Sequence, residues 1–340
     1  MAATDFHLRD LSAPILIAPM AGGPSTPELA AAGSNAGALG FVAAGYLSAD
    51  VFAEKLTAAR ELTTGPLGAN LFVPGPSAAI PAVIETYAHD LAGEAAHYDA
   101  RLGEPHFDDD AWAGKLEILL DVRPEVVSFT FGLPSTAECA RLRDAGMFTM
   151  ATVTTLAEAE QAVACGVDAL VAQGPAAGGH RGTFDPVATP ATQPLDQLLH
   201  AVAVGTGLPV VAAGGLMTAA AVADVRARGA VAAQLGTAFL LADEAGSSPV
   251  HRAALAGGEF TETAITKAFS GRFARGLRNR FIDEHEQQAP FGYPEVHYLT
   301  SPLRKASVAA GDPHATNVWA GTGFAHARPG PAADIVAALR

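Results

Sequence analysis

Short runs of apolar residues alternate along this chain with longer segments whose apolar positions recur at helical spacing. ILIAPM (15–20) predicts a buried strand, followed by a helix in STPELAAAGSNAG. LGFVAAG (39–45) leads into the helical period of ADVFAEKLTAAREL, and LGANLFV (67–73) into an Ala-rich segment running to about Asp99. The acidic interruption GEPHFDDD precedes a helix in WAGKLEILLDV. VVSFTFG (126–132), FTMATVT (148–154), ALVAQG (169–174), PVVAAGG (209–215) and AAQLGTAFLL (232–241) continue the series of strands. Each run is apolar throughout instead of alternating, the pattern of a parallel sheet covered on both faces. Eight such units predict an α/β fold, a TIM (β/α)8 barrel, with a doubly wound sheet as the rival that the count disfavours.

After Leu241 the rhythm stops. Residues 243–305 read as helical segments and turns, with Pro and aromatic residues gathered in FIDEHEQQAPFGYPEVHYLTSPLRK. The expected organisation is a barrel over 1–242, a small, mainly helical cap inserted over its mouth at 243–305, and a segment 306–340 returning to the barrel. The helical spacing of PAADIVAALR suits the last outer helix of such a barrel.

Composition narrows the class. Half of the 340 residues are hydrophobic and 16% are charged, so a large core is available and disorder is not expected. A net charge of −14 repels nucleic acid and anionic lipid at long range. One basic island, SGRFARGLRNR (270–280), carries four of the 21 Lys and Arg; it reads as a solvated helix face or an anion site, and composition favours the solvated face. Cys139 and Cys165 lie far apart without metal-ligand spacing, and no cluster suggests a metal. MAATDFHLRD lacks the basic start and apolar run of a signal peptide, and no apolar run approaches a membrane span. A cytoplasmic protein without membrane or nucleic-acid partners is expected, with a homodimer as the candidate assembly.

In a barrel, chemistry collects where the strands end and the loops to the helices begin. Those ends here hold Met20 and Ala21, Asn70, Gln173, Gly214 and Gly215, then Gln234, Gly236 and Thr237. Glycines after the last two strands either make tight turns or leave N–H groups open to a phosphate. The amides of Asn70, Gln173 and Gln234 both donate and accept, which suits the mixed edge of a heteroaromatic ring, although singly each also suits a loop cap. The loop GPAAGGHRGTF (174–184) has seven Gly, Ala or Pro among its first nine residues and then sets His180 beside Arg181. It is a flexible surface loop, or a backbone made thin so that a large flat group lies against it, with one imidazole left for chemistry. An imidazole with its ordinary pKa of about 6.5 takes a proton near neutrality and, once charged, pairs with an anion. Arg181 reads as loop-bracing or solvent-facing.

These residues lie in segments that resemble the nitronate monooxygenase family, FMN enzymes on a TIM barrel. PILIAPMAGGPSTPELAAAGSNAGALGF, GANLFVP, SFTFGLP, QGPAAGGHRG, AAGG with QLGTAFL, ITKAFSGRFARGLRNRF, YPEVHYLTSPLRKA and WAGTG follow one another over almost the whole length. The resemblance implies that Met20 and Ala21 pack near the flavin and that Asn70 and Gln173 bond its ring or ribityl arm. It implies backbone contacts at Gly178, Gly179, Gly214 and Gly215, phosphate binding at Gln234, Gly236 and Thr237, and His180 as base or substrate-orienting group. Tyr293, Tyr298 and Lys305 are expected on the substrate side, and Arg272, Arg275 and Arg278 to face solvent or the barrel. In one departure, Ala176 stands where the family usually has Glu before Ala-Gly-Gly-His.

The activity implied is FMN-dependent oxidation of alkyl nitronates such as propionate 3-nitronate, with O2, to a carbonyl compound and nitrite. The rivals are an NAD(P)H-dependent enoyl or quinone reductase on the same barrel, a non-redox barrel enzyme that binds a substrate phosphate, and a non-catalytic flavin-binding regulator.

Overall fold

In the computed structural model, residues 6–340 are described, so the first five residues of MAATDFHLRD lie outside the described residues. Eleven strands follow in chain order: β1 (Ile15–Ile17), β2 (Gly40–Ala43), β3 (Leu67–Phe72), β4 (Val126–Thr130), β5 (Phe148–Val153), β6 (Ala169–Gln173), β7 (Gly179–His180), β8 (Val210–Ala213), β9 (Ala232–Leu235), β10 (Thr263–Thr266) and β11 (Ala274–Leu277). Eight of them form one parallel sheet in the order β1-β9-β8-β6-β5-β4-β3-β2. A parallel bridge between Leu16 and Leu39 brings its two ends together, closing a (β/α)8 barrel. Each barrel strand lies inside one of the eight apolar runs.

Local chemistry starts and stops the outer helices. Thr26, Ser48, Thr155 and Thr218 each accept from a backbone N–H of the first turn of helices Pro27–Asn35, Ala49–Leu62, Leu156–Cys165 and Ala219–Ala227. Ser135 and Glu138 form a reciprocal capping box at helix Thr136–Asp144. Gly166 and Gly207 end helices in the left-handed conformation at φ 91° and 68°. Inside the barrel, Leu16, Phe41, Met150, Val171 and Val211 pack together, while neighbouring strand residues such as Ile15, Ile17, Ala151, Leu170 and Val210 face the helices. Both faces are therefore dry along most of each strand, which is why the strands are mainly apolar and carry polar residues such as Asn70, Gln173 and Gln234 chiefly toward the cavity.

The segment 243–305 holds helices Pro249–Ala256 and Arg280–His285 and most of helix Glu295–Ala309, but also β10 and β11, which sequence periodicity did not show. These two strands and β7 make an antiparallel sheet in the order β10-β11-β7. The basic island is thus not a solvated helix face. Part of it is β11, and Arg272 is buried at 4% exposure. Helices Pro81–Asp90 and Ala92–His97, between β3 and β4, pack toward this segment: Ile84, Tyr87 and Leu91 share a cluster with Phe269, Phe281, Val296 and Leu299. The closing helix Ala332–Ala338 sets Ala332 and Val336 into the cluster that holds Leu29 of the first outer helix. Among the described residues, no helix is long and apolar enough to cross a membrane.

Close approach of helix and strand depends on Gly40, where a Cβ would stand 2.0 Å from the Ala30 carbonyl oxygen and 2.6 Å from its carbon. Backbone does not yield as a flexible side chain does, so Gly40→Ala is expected to destabilise the protein by about 1–3 kcal/mol. Gly93, in helix Ala92–His97, has open space around it. Gly93→Ala is expected to stabilise by roughly 0.5–1 kcal/mol. Thermal unfolding of the two variants checks the pair, and equal melting temperatures would contradict it.

Candidate active site

A cavity of about 710 Å³ opens at the C-terminal ends of the barrel strands. It is lined by Met20, Ala21, Asn70, Gln173, Gly178, Gly179, His180, Gly214, Gly215, Gln234, Gly236, Thr237, Tyr298 and Lys305, so these sequence-predicted positions meet around one hollow. Tyr293 lines a smaller adjoining pocket with Tyr46 and Arg272, and its ring centre is 5.6 Å from that of His180.

The glycine-rich loop is braced from both sides. Gln173 donates from Nε2 to the His180 carbonyl at 3.1 Å and accepts at Oε1 from Gly182 N–H at 2.9 Å. Arg181, 1% exposed, donates to the carbonyls of Gly174 and Gln173 at 2.5 and 3.2 Å, the loop-bracing role. On the other edge, β7 pairs with β11 and Arg181 N–H bonds the Phe273 carbonyl at 2.8 Å. The small residues have two separate causes. A Cβ at Gly178 would lie 2.5 Å from the backbone of Ala320 and Gly321, so packing within the chain demands glycine there. Gly179 has φ 73° with nothing within 4 Å, so it serves the turn and faces open space.

His180 is enclosed edge-on by Phe131, Tyr293 and Trp319, with ring centres 5.7, 5.6 and 5.6 Å away. Its Nε2 lies 2.8 Å from Ser270 Oγ. Burial, then the nearby charges of Arg272 and Arg304, push its pKa from 6.5 down to about 3. The free imidazole is therefore neutral at pH 7, not the readily charged group its ordinary pKa suggests. The fixed positive charge beside it belongs to the two arginines. Arg272 sits 4.1 Å over the Phe131 ring and donates to the Thr183 carbonyl. Arg304 donates to Thr300 Oγ1, Asn317 Oδ1 and both His297 Nδ1 and O, at 2.8–3.2 Å. Burial lowers both guanidinium pKa values to about 10, leaving both charged at neutrality.

At the opposite side of the hollow, Gly214 and Gly215 follow β8 at φ 112° and 74°. Among the described residues none accepts from the N–H groups of Gly215 or Gly236. The helix after β8 begins only at Ala219, beyond the turn, and its first turn is capped by Thr218. Thr237 Oγ1 accepts from Gly321 N–H at 3.0 Å. Gln234 makes no side-chain hydrogen bond among the described residues, and Asn70 donates only from Nδ2, to Ser128 and Thr130, which leaves its Oδ1 without a protein donor there. Open backbone donors at one end, with the free Asn70 Oδ1 acceptor and the free Gln234 amide along the wall, form a polar set for a long ligand with an anionic tail.

Sequence reasoning passed over Tyr46, His297, Ser270 and Arg304, all on the wall of the cavity. Tyr46 and His297 stack at 4.1 Å with planes 1° apart. Tyr46 and Phe131 adopt φ 69° and 78° just beyond β2 and β4, a strained conformation for aromatic residues. Asp110 holds the first of these turns by accepting from Tyr46 N–H at 2.8 Å while paired with buried Lys115. The two positive φ values leave no mark in the sequence, since neither residue is the Gly or Asn that signals them. Tyr298 turns its hydroxyl to Asp108 at 2.7 Å, Arg275 donates to the Pro175 carbonyl, and Arg278 pairs with Asp283 and Glu262 at the surface. Away from the cavity, Glu94, Glu284 and His285 come together at metal-binding spacing, but Arg280 already donates to both carboxylates.

The family model described as nitronate monooxygenase matches residues 6–340. The chain is 40% identical to the nitronate monooxygenase of Paraburkholderia phytofirmans, covering 98% of this chain and 92% of that protein. It is 39% identical to that of Pseudomonas aeruginosa, over 98% and 97%. A solved structure of nitroalkane oxidase from Streptomyces ansochromogenes superposes with a TM-score of 0.93 at 47% identity, covering 98% of this chain and 96% of that one. FabK from Thermotoga maritima, at 24% identity and a TM-score of 0.73, shares the fold. With the family model matched over residues 6–340 and these relatives over 98% of its length, the chain belongs to the nitronate monooxygenase family of oxidoreductase enzymes.

Proposed function

We propose that this chain oxidises alkyl nitronates, propionate 3-nitronate among them, with O2 to a carbonyl compound and nitrite, using FMN seated in the cavity at the barrel mouth. The observation that carries this reading is the cavity itself: about 710 Å³, with open N–H groups at Gly215 and Gly236, a free side-chain oxygen at Asn70 and an unengaged amide at Gln234. That set fits a flat ring with a phosphorylated arm. Gly214, Gly215, Gly236, Gln234 and Thr237 would hold the phosphate end. Met20, Ala21, Asn70, Gln173, Gly178 and Gly179 would hold the ring and ribityl end. FMN would supply the electron transfer between the organic substrate and oxygen.

The protein's own part is electrostatic and positional. Arg272 and Arg304 put positive charge next to His180, where an anionic nitronate is stabilised. His180, neutral and backed by three aromatic edges, meets the substrate as base or orienting group. Tyr293, Tyr298 and Lys305 would border the substrate side. Residues 243–305, joined by the helices of 81–97, act as the cover that excludes water, and 306–340 return to the barrel.

The test is direct. The purified protein is expected to be yellow, to bleach when a nitronate is added without oxygen, and to release nitrite when air is admitted. A colourless protein that takes up no FMN, or oxidation of NAD(P)H without nitrite, would overturn the reading.

His180→Asn is expected to retain FMN and to lower kcat/KM with neutral nitroalkane, whose C–H proton must be taken up, about 10²–10⁴-fold, the usual worth of a positioned acid–base group. An unchanged rate would remove His180 from the reaction.

The pH dependence follows from the lowered pKa. Between about 3 and 6.5 the unfolded chain binds the His180 proton and the folded chain does not. The histidine's contribution to stability is therefore complete above pH 6.5 and is lost as pH falls toward 3. For the same reason, kcat/KM for nitronate is expected to show no acid limb centred near 6.5 from His180. A limb at 6.5 that disappears in His180→Asn would contradict the buried, neutral imidazole.

A further inference from the structure

We propose that Ser270 is a positioning residue that fixes the tautomer of His180, keeping the proton on Nε2 and presenting Nδ1 to the substrate as the proton-accepting nitrogen. This rests on His180 being the group that meets the substrate.

One hydroxyl proton decides the tautomer. Ser270 is 2% exposed, and its Oγ lies 2.8 Å from His180 Nε2 and 3.2 Å from the Arg272 carbonyl oxygen. A carbonyl only accepts, so the hydroxyl proton is directed to Arg272 O and a lone pair of Oγ faces the imidazole. Nε2 then carries the ring proton and donates it to Ser270. The opposite assignment would send the hydroxyl proton to Nε2 and leave Arg272 O facing a second lone pair in a buried site, which costs about 1–3 kcal/mol. Among the described residues Nδ1 has no hydrogen-bond partner, and it is not among the buried side-chain atoms left unsatisfied, so it keeps access to the cavity that His180 lines.

The backbone fixes this pair. His180 belongs to β7, and Ser270 lies on the turn that leads into β11, its partner strand. Ala176 provides no alternative: a Cβ on Gly215 would meet the Ala176 Cβ at 2.8 Å, so that methyl group is turned toward Gly215. In this chain the side-chain partner that orients the histidine is Ser270.

A proton acceptor at Nδ1 has a definite use. When a neutral nitroalkane enters, the proton on the carbon bearing the nitro group passes to Nδ1 and the C–H electron pair remains as the nitronate. Nε2–H stays on Ser270, which accepts equally well from the imidazolium formed. The neighbouring Arg272 and Arg304 oppose charge on the free imidazole but favour the anion produced next to it.

The experiment is nitrogen NMR on the purified protein carrying ¹⁵N-histidine, with the His180 signals identified by their loss in His180→Asn. The wild type is expected to show the Nε2–H tautomer. Ser270→Ala is expected to shift His180 toward a mixture of tautomers, to keep its FMN, and to lose about 10-fold in kcat with nitroalkane, with Ser270→Thr restoring both. A wild-type His180 protonated on Nδ1 overturns the proposal even if no variant folds. So does a Ser270→Ala protein whose tautomer is unchanged. The tautomer is read without substrate, so a failure to release nitrite would count against the proposed activity and leave this result standing.

Discussion

The pairing of Gly179 and His180 with Arg275 and Ala274 is the contact on which the site depends. It joins the loop after the sixth barrel strand to a strand about a hundred residues later in the chain, within 243–305. Without it, His180 would ride on a glycine-rich loop, and ordering each such residue costs roughly 1–2 kcal/mol of backbone entropy. With it, the backbone at His180 is bonded on one edge by β11 and on the other by the side chain of Gln173. The imidazole is therefore held from the barrel side by Gln173 and from β11 at once.

Charge works on two scales here. The molecule carries −14 overall, which at long range opposes an anionic substrate. Salt screens that field over about 8 Å, whereas Arg272 and Arg304 act inside the cavity wall, where screening is weak. Their pKa values of about 10 remain well above neutrality, so burial weakens the cations without discharging them. The same burial, with those cations nearby, empties His180 of its proton. For an anion at the cavity wall, the two local cations therefore outweigh the screened net charge.

The barrel strands were legible because a sheet buried on both faces favours apolar residues on each, so the runs do not alternate with polar positions. The glycine-rich loop and the strand-end amides were legible for a related reason: in a barrel, unusual residues at strand ends have one place to meet. What stayed hidden depends on contacts between distant segments. Ser270 is an unremarked serine until β11 pairs with β7. Arg272 and Arg304 are ordinary cations in a basic or helical stretch until Phe131, Thr183, Asn317 and His297 close around them. The glycine at 178 was readable as a small residue, but its cause, the backbone of Ala320 and Gly321, lies outside its own motif. β10 and β11 were hidden because Arg275 and its neighbours do not follow a simple alternation of apolar and polar positions.

The strained residues follow the same logic. Tyr46 and Phe131 hold left-handed backbone conformations that cost on the order of 1–3 kcal/mol each, and both border the hollow. Each is held by a contact from elsewhere in the chain: Asp110 accepts from Tyr46 N–H, and the guanidinium of Arg272 lies over Phe131. Asp110 is in turn paired with Lys115, which is 1% exposed and lies in the helix leading to β4. Relaxing either aromatic to an ordinary conformation would move a ring that now flanks His297 or His180. The strain is therefore stored where the imidazoles need fixed walls, and its cost is met by packing contributed from outside the site.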